Sequence, residues 1–206
     1  MGERFVEGFE KNAAGTLKRK IGDKSLDKNA EGAGIIPAAM QPYVSVSEKG
    51  DGTFHQTILT LTAVPITMRD TEQGGGVKIY DFPIGRICRL GATGVIAVTT
   101  TSAIASTLNA GVTCNWGVGS TTQASATLAT TEQDFVNVTA FTSSATIDVA
   151  GADATGVGLG VLASLDGTSA AVDAYLNLAV AVATDIDANA TVTVSGTVKI
   201  TWVNLS

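Results

Sequence analysis

The sequence predicts a mainly β protein: an antiparallel β-sandwich or jelly-roll-like barrel carrying an extended N-terminal arm. Three observations point there. Short runs of β-branched and apolar residues recur about every ten residues, with Gly, Asn, Asp and Ser between them. The 206 residues include 23 glycines and are 45% apolar, but only 5% aromatic and 16% charged. A helix bundle or coiled coil would be rich in Glu, Lys, Leu and Arg instead. Finally, no repeat of fixed period runs along the chain, which argues against a propeller or a solenoid.

Residues 1–50 read as the arm and 51–206 as the β body. In the arm, Phe5, Val6, Phe9, Ala13 and Leu17 fall at roughly helical spacing and predict a short helix. Gly15, Gly22, Gly32 and Gly34 then break the pattern. The stretch GAGIIPAAMQPYVSV reads as extended chain, because Pro37 and Pro42 turn their predecessors away from helix. Alone, this segment buries too little surface to offset the entropy of ordering, so a neighbour is expected to hold it.

The body opens with Phe54–Val64, where Leu59, Leu61 and Ala63 alternate with Thr60 and Thr62 as in a half-buried strand. A polar turn and the triplet Gly74-Gly75-Gly76 follow. Val77–Phe82 is the next strand, stopped by Pro83, and Arg86–Leu90 the third. Further strands are expected at Val95–Thr101, Gly111–Val118, Ser125–Thr130 and Phe135–Phe141, with Gly156–Ser164 a strand or loop. The strongest patterns are Ala174–Val182 and the closing Thr191–Leu205. A body of Ala, Gly and Thr gains little from each buried residue, at ~25 cal/mol per Å². Completion by other copies in a cyclic homo-oligomer, a trimer at threefold lattice points, is therefore expected.

Charge narrows the function classes. The net charge is −6, yet residues 1–50 hold eight basic side chains against seven acids. From residue 90 onward Lys199 is the one basic side chain, against eight acids. A nucleic-acid surface needs clustered Lys and Arg, so such binding by the body is not expected. Lys18-Arg19-Lys20 suits a solvated face or an acidic protein partner. No window approaches ~18 apolar residues, so no membrane helix is expected, and the N-terminus lacks the pattern of a secretory signal. Cys88 and Cys114 make no disulfide framework.

The side chains that do chemistry are sparse. His55, the sole histidine, stands at a strand start with no patterned nucleophile and reads as an incidental edge residue. With Cys88 and Cys114 it lacks the spacing of a zinc site. There is no phosphate-binding loop, and Gly156-Val157-Gly158-Leu159-Gly160 lacks the dinucleotide spacing. Asp185-Ile186-Asp187-Ala188-Asn189 opens like a calcium loop, but Ala190 and Gly196 occupy the positions of the turn Gly and bidentate Glu. It reads as a solvated turn. Glu132 and Asp134 share a strand face as a glycosidase dyad would, without the aromatic platforms a sugar needs. Trp202 and its neighbour in pattern, Ile200, suit a core or interface. The sequons at Asn137, Asn189 and Asn204 carry no meaning without secretion. Catalytic residues, cofactors and metals are accordingly not expected.

Several segments between Thr57 and Leu205 resemble a family of tailed-phage virion proteins. They are LTLTAVPITMRD (59–70), GGGVKIYDFPIGRICRLGA (74–92), TEQDFV (131–136), SLDGTSAAVDAYLNLAV (164–180) and GTVKITWVNLS (196–206). The order KIYDFP, Gly, LGA and the pair DGT…DAYLN are the more specific parts. The resemblance implies a non-enzymatic decoration (cement) protein on the outer surface of the phage head, binding the major capsid protein. A tail or head-fibre component is the alternative within that class. A glycan-binding adhesion module, with Trp116 as its platform, is the alternative outside it. Residues 1–50 lie outside the resemblance. For capsid contact the expected residues are Phe5, Phe9, Ile35, Ile36 and Tyr43, with Arg19 and Lys20 meeting acidic partners.

Overall fold

The computed structural model describes residues 9–11, 17–19, 34–50, 54–100, 113–142, 146–150, 163–180, 186 and 188–205. Two antiparallel sheets pack into a β-sandwich, as the alternation predicts. The larger contains β3 (Val44–Gly50), β4 (Phe54–Met68), β6 (Gly85–Thr100), β9 (Thr146–Ala150), β10 (Ala163–Gly167) and β12 (Ala190–Asn204). Its order is β10-β6-β12-β4-β3, with β9 continuing the β10 side along the far half of β6. The smaller sheet has the order β5-β11-β7-β8, from β5 (Gly74–Asp81), β7 (Thr113–Gly119), β8 (Val136–Thr142) and β11 (Asp173–Val180). A separate hairpin pairs β1 (Phe9–Lys11) with β2 (Leu17–Arg19).

Alternation fixes which faces meet. On β12, Val192, Val194, Val198, Ile200 and Trp202 all point inward and are buried. Phe82 is the hub between the sheets: its ring meets Trp202 edge-on at 5.2 Å and stacks near Phe135 at 5.3 Å. Each such side chain contributes about 1.5–3 kcal/mol on burial.

Bulges let two long strands keep their apolar side inward. Between the pairs Val194–Val64 and Gly196–Leu61, β4 has one residue more than β12. Ala63 absorbs it at φ 50 and donates its N–H to Ser195 Oγ at 2.9 Å. The inward set therefore runs Leu59, Leu61, Val64, Ile66, and Ala63, expected on that face, is exposed. Pro65 is tolerated beyond this point because β3 pairs with β4 only up to Leu61. Leu90 makes a second bulge between the pairs Trp202–Arg89 and Thr201–Gly91. Arg86–Leu90 and Val95–Thr101, expected as two strands, are thus one strand, β6. Gly94 lies within it because the Trp116 ring occupies the space of a side chain: a Cβ there would stand 2.7 Å from Cη2.

Other expectations are also corrected. Phe9–Lys11 and Leu17–Arg19 are strands rather than parts of a helix; they pair antiparallel, with Glu10 in register with Lys18. β5 begins at Gly74, earlier than the expected Val77, and the triplet is glycine because its neighbours come too close for side chains. A Cβ would stand 2.1 Å from Thr67 O at Gly75 and 2.2 Å from Asn177 Oδ1 at Gly76. Ser125–Thr130 is a loop leading into a short 3₁₀ turn, Thr130–Glu132, because side chains instead of a ladder satisfy its backbone. The body begins at Gly34 rather than residue 51: Met40 and Val44 are buried in the core, and β3 pairs along its whole length with β4. Gly156–Gly160 lies outside the described residues.

Candidate interaction site at the arm root

Residues 34–50 run from the edge of one sheet to the edge of the other. At the start, Ile35 and Asp81 exchange two backbone hydrogen bonds of 2.8 Å, tying the chain to β5. Pro37 directs it into the 3₁₀ turn Ala38–Met40, whose Met40 side chain is buried. Tyr43 O then accepts from Thr62 N at 2.7 Å, and the chain continues as β3 of the other sheet. The segment closes the open side of the sandwich.

A buried polar network fastens it. The Glu48 side chain points inward from β3. Its Oε2 accepts from Tyr80 Oη at 2.9 Å, its Oε1 lies 3.1 Å from His55 Nδ1, and Thr57 Oγ1 donates to Oε1 at 3.4 Å. Trp202 Nε1 donates to Thr57 Oγ1 at 2.8 Å, and the His55 ring stacks on the Trp202 indole at 4.0 Å. Tyr80 Oη in turn accepts the Gly34 N–H at 2.9 Å. Burial first, then the Glu48 charge, drives the Tyr80 phenol far above its ordinary range. Gly34 is required here, since a Cβ would stand 2.2 Å from Asp81 O and 2.4 Å from the Tyr80 ring. His55 is therefore no incidental edge residue: it is 5% exposed and joins the two sheets through Glu48.

Outside this network lies a half-exposed charged group. Lys78 Nζ reaches Asp81 Oδ1 at 2.8 Å and Asp173 Oδ2 at 3.4 Å, and Tyr175 Oη donates to Asp173 at 3.0 Å. Burial, then the hydrogen bond to Asp173, raises the Asp81 carboxyl, while hydrogen bonding to Asp81 raises Lys78.

The expected contact residues divide. The hairpin register sets Phe9 opposite Arg19. Phe5 and Lys20 lie outside the described residues. Ile35 is 56% exposed beside its bridge to Asp81. Ile36 and Tyr43 pack against the core, so they belong to the body. Sequence reasoning missed Gly34, Glu48 and Tyr80. The available signal was an acid at an inward position of VSVSE, since Val44, Val46 and Glu48 share one parity.

The remaining candidates are structural. Glu132 accepts the N–H groups of Ala124 at 2.7 Å and Ala129 at 2.9 Å. Asp134 accepts from Ser120 N and Oγ, both at 2.7 Å; burial raises its carboxyl, and these hydrogen bonds oppose the rise. The two carboxylates shape the loop after β7 rather than a dyad. Trp116 and Trp202 are both fully buried, so neither is a sugar platform. Asp185 and Asp187 lie outside the described residues, and Asn189 Oδ1 accepts from Asp70 N at 3.0 Å. Among the described residues no group of three or more His, Cys, Asp or Glu is placed to hold a metal. Among the described residues no helix is long and apolar enough to cross a membrane.

No family model and no curated protein sequence matches the chain. Among solved structures it is similar to one described as the structure of infectious bursal disease virus Gx strain, with a TM-score of 0.30 and 12% identity. That alignment covers 82% of this chain and 38% of the other. At that TM-score the likeness carries no argument about fold or function.

Proposed function

We propose that this protein is a virion structural component, a decoration protein that binds the major capsid protein on the outer surface of a phage head. The observation that carries the reading is the double anchorage of the arm root. Ile35 is bonded to β5 and Tyr43 leads into β3, so tension applied through residues 1–33 enters both sheets at once. A protein that straps a shell under internal pressure needs such an anchor. The resemblance of the segments between 57 and 205 supports the same class. So does the use of His55, Glu132 and Asp134 in holding the fold rather than in a reactive cluster. In this reading the N-terminal hairpin, with Phe9 and Arg19, grips the shell, and the exposed Ile35 at the arm root adds to the contact. Strand addition by the arm to a capsid sheet edge supplies the affinity, multiplied over many copies. The protein performs no bond-making of its own.

The test is cosedimentation with purified capsids that lack this protein. The full chain is expected to bind in stoichiometric amounts. Chains lacking residues 1–33, or carrying Phe9→Asp with Arg19→Glu, are expected not to bind while keeping their thermal transition. Binding retained by both would overturn the arm as the grip, and no binding by the full chain would overturn the decoration reading.

A further inference from the structure

The two sheets differ in what covers their outer faces. On the outer face of the smaller sheet the protein's own loop 120–135 covers β5, β11 and β7, while Val138 on β8 stays exposed. There Asn177 on β11, fully buried, donates to Thr121 O and Glu132 O and accepts from Gln123 N. Around Val95 and Thr93 the outer face of the larger sheet has no such cover among the described residues, whereas Cys88, on the same face toward β10, is buried. One register row crosses four strands as Val95, Thr197, Thr60 and Ser45, and all four residues are exposed, Val95 at 57%. The next row reads Thr93, Lys199, Ile58 and Ser47. Phe54 and the bulged Leu90 add exposed apolar area to the same sheet.

From this we infer that the larger sheet's outer face is a self-association surface, packed against the same face of a second copy about a two-fold axis. Three physical features select a second copy. The first is size. β4 and β12 have 15 residues each and β6 has 16. At ~3.3 Å per residue and ~4.8 Å between strands, these three with β3 of 7 residues and β9 and β10 of 5 each offer roughly 1,000 Å². A stable pair needs about 800 Å² from each partner.

The second feature is chemical self-complementarity. At the axis of a two-fold interface a group meets its own copy, which a charged group resists. Ser and Thr hydroxyls donate and accept equally, so they pair with themselves. In the two central rows Lys199 is the one charge. The third feature is low entropic cost. Short Thr, Ser and Val side chains lose little rotamer freedom on burial, unlike the Lys and Glu that keep exposed sheets apart. The pairing is two-fold, whereas the composition suggested a cyclic trimer.

The inference is independent of capsid binding and is tested on the purified full chain without capsids. Sedimentation equilibrium at micromolar concentration is expected to give twice the chain mass. Val95→Asp and Thr197→Glu, both at exposed positions, are expected to give the single-chain mass with unchanged circular dichroism. Val138→Asp, on β8 of the other sheet, is expected to leave the pair intact. As a second measurement, acylation of the Lys199 amine is expected to slow at least about tenfold as the pair forms. A single-chain mass for the unmodified protein would overturn the proposal. So would a pair that survives both face variants, or one that leaves Lys199 acylation unchanged. A chain that stays single yet loses capsid binding with Val95→Asp would assign the face to the capsid subunit, overturning self-association while the decoration reading stands.

Discussion

Replacing Tyr80 by Phe removes one oxygen and leaves the ring packed against Phe82, so its effect isolates the network at the arm root. In the native protein that oxygen donates to Glu48 Oε2 and accepts the Gly34 N–H, both at 2.9 Å. The hydrogen bond to a carboxylate contributes ~1.5–3 kcal/mol, and an N–H left unpaired costs ~1–3 kcal/mol, so a loss of about 2.5–6 kcal/mol is expected near neutral pH. The difference should then shrink in alkali. The buried phenol is held well above its ordinary value, whereas in the unfolded chain it ionises near pH ~10. Above that pH the unfolded state binds fewer protons than the native state, so native stability falls as pH rises. The Phe variant lacks this loss, and at pH ~11 the gap should have closed by about 1.4 kcal/mol. Tyr175, also raised chiefly by burial, is present in both proteins and cancels in the difference. Urea unfolding followed by tryptophan fluorescence between pH 8 and 11 measures both quantities. A gap that stays constant over this range, or a loss near zero at pH 8, would refute the account of the network.

Three further substitutions probe the rest of the body. Ala63→Gly should stabilise by about 0.5 kcal/mol, since Ala63 sits at φ 50, a conformation costly to L side chains and free to glycine; a lowered urea midpoint would contradict the bulge. Gly94→Ala places a methyl against the Trp116 ring and should cost about 1–3 kcal/mol, with a shift in tryptophan emission as the check. Asn177→Ala leaves Thr121 O, Glu132 O and Gln123 N without their partner. A loss of at least about 2 kcal/mol is expected, and hydrogen exchange should rise in loop 120–134 before it rises in β4.

Little of the arm-root site was legible in the chain. Gly34, Glu48, His55, Thr57, Tyr80 and Trp202 come from five separated stretches, and no spacing links them. Taken singly, each has an ordinary reading: a flexible glycine, a strand-edge acid, a lone histidine. Their roles arise because β3 and β5 lie at edges of different sheets and one short segment crosses between them. The same limit applies to Glu132 and Asp134. Their parity on an imagined strand suggested a pair acting together, whereas the loop turns each toward a different set of backbone donors.

By itself the sequence determined the class of fold and most strand positions, because side-chain parity along a strand is local and burial of alternate residues leaves a direct trace. It also determined where charge is scarce. Only the tertiary structure decided the pairings, the bulges at Ala63 and Leu90, the strand role of Gly74–Gly76 and the beginning of the body at Gly34. Each of these depends on which distant backbone comes close. That proximity is set by the joint packing of the two sheets, and no short stretch of sequence encodes it.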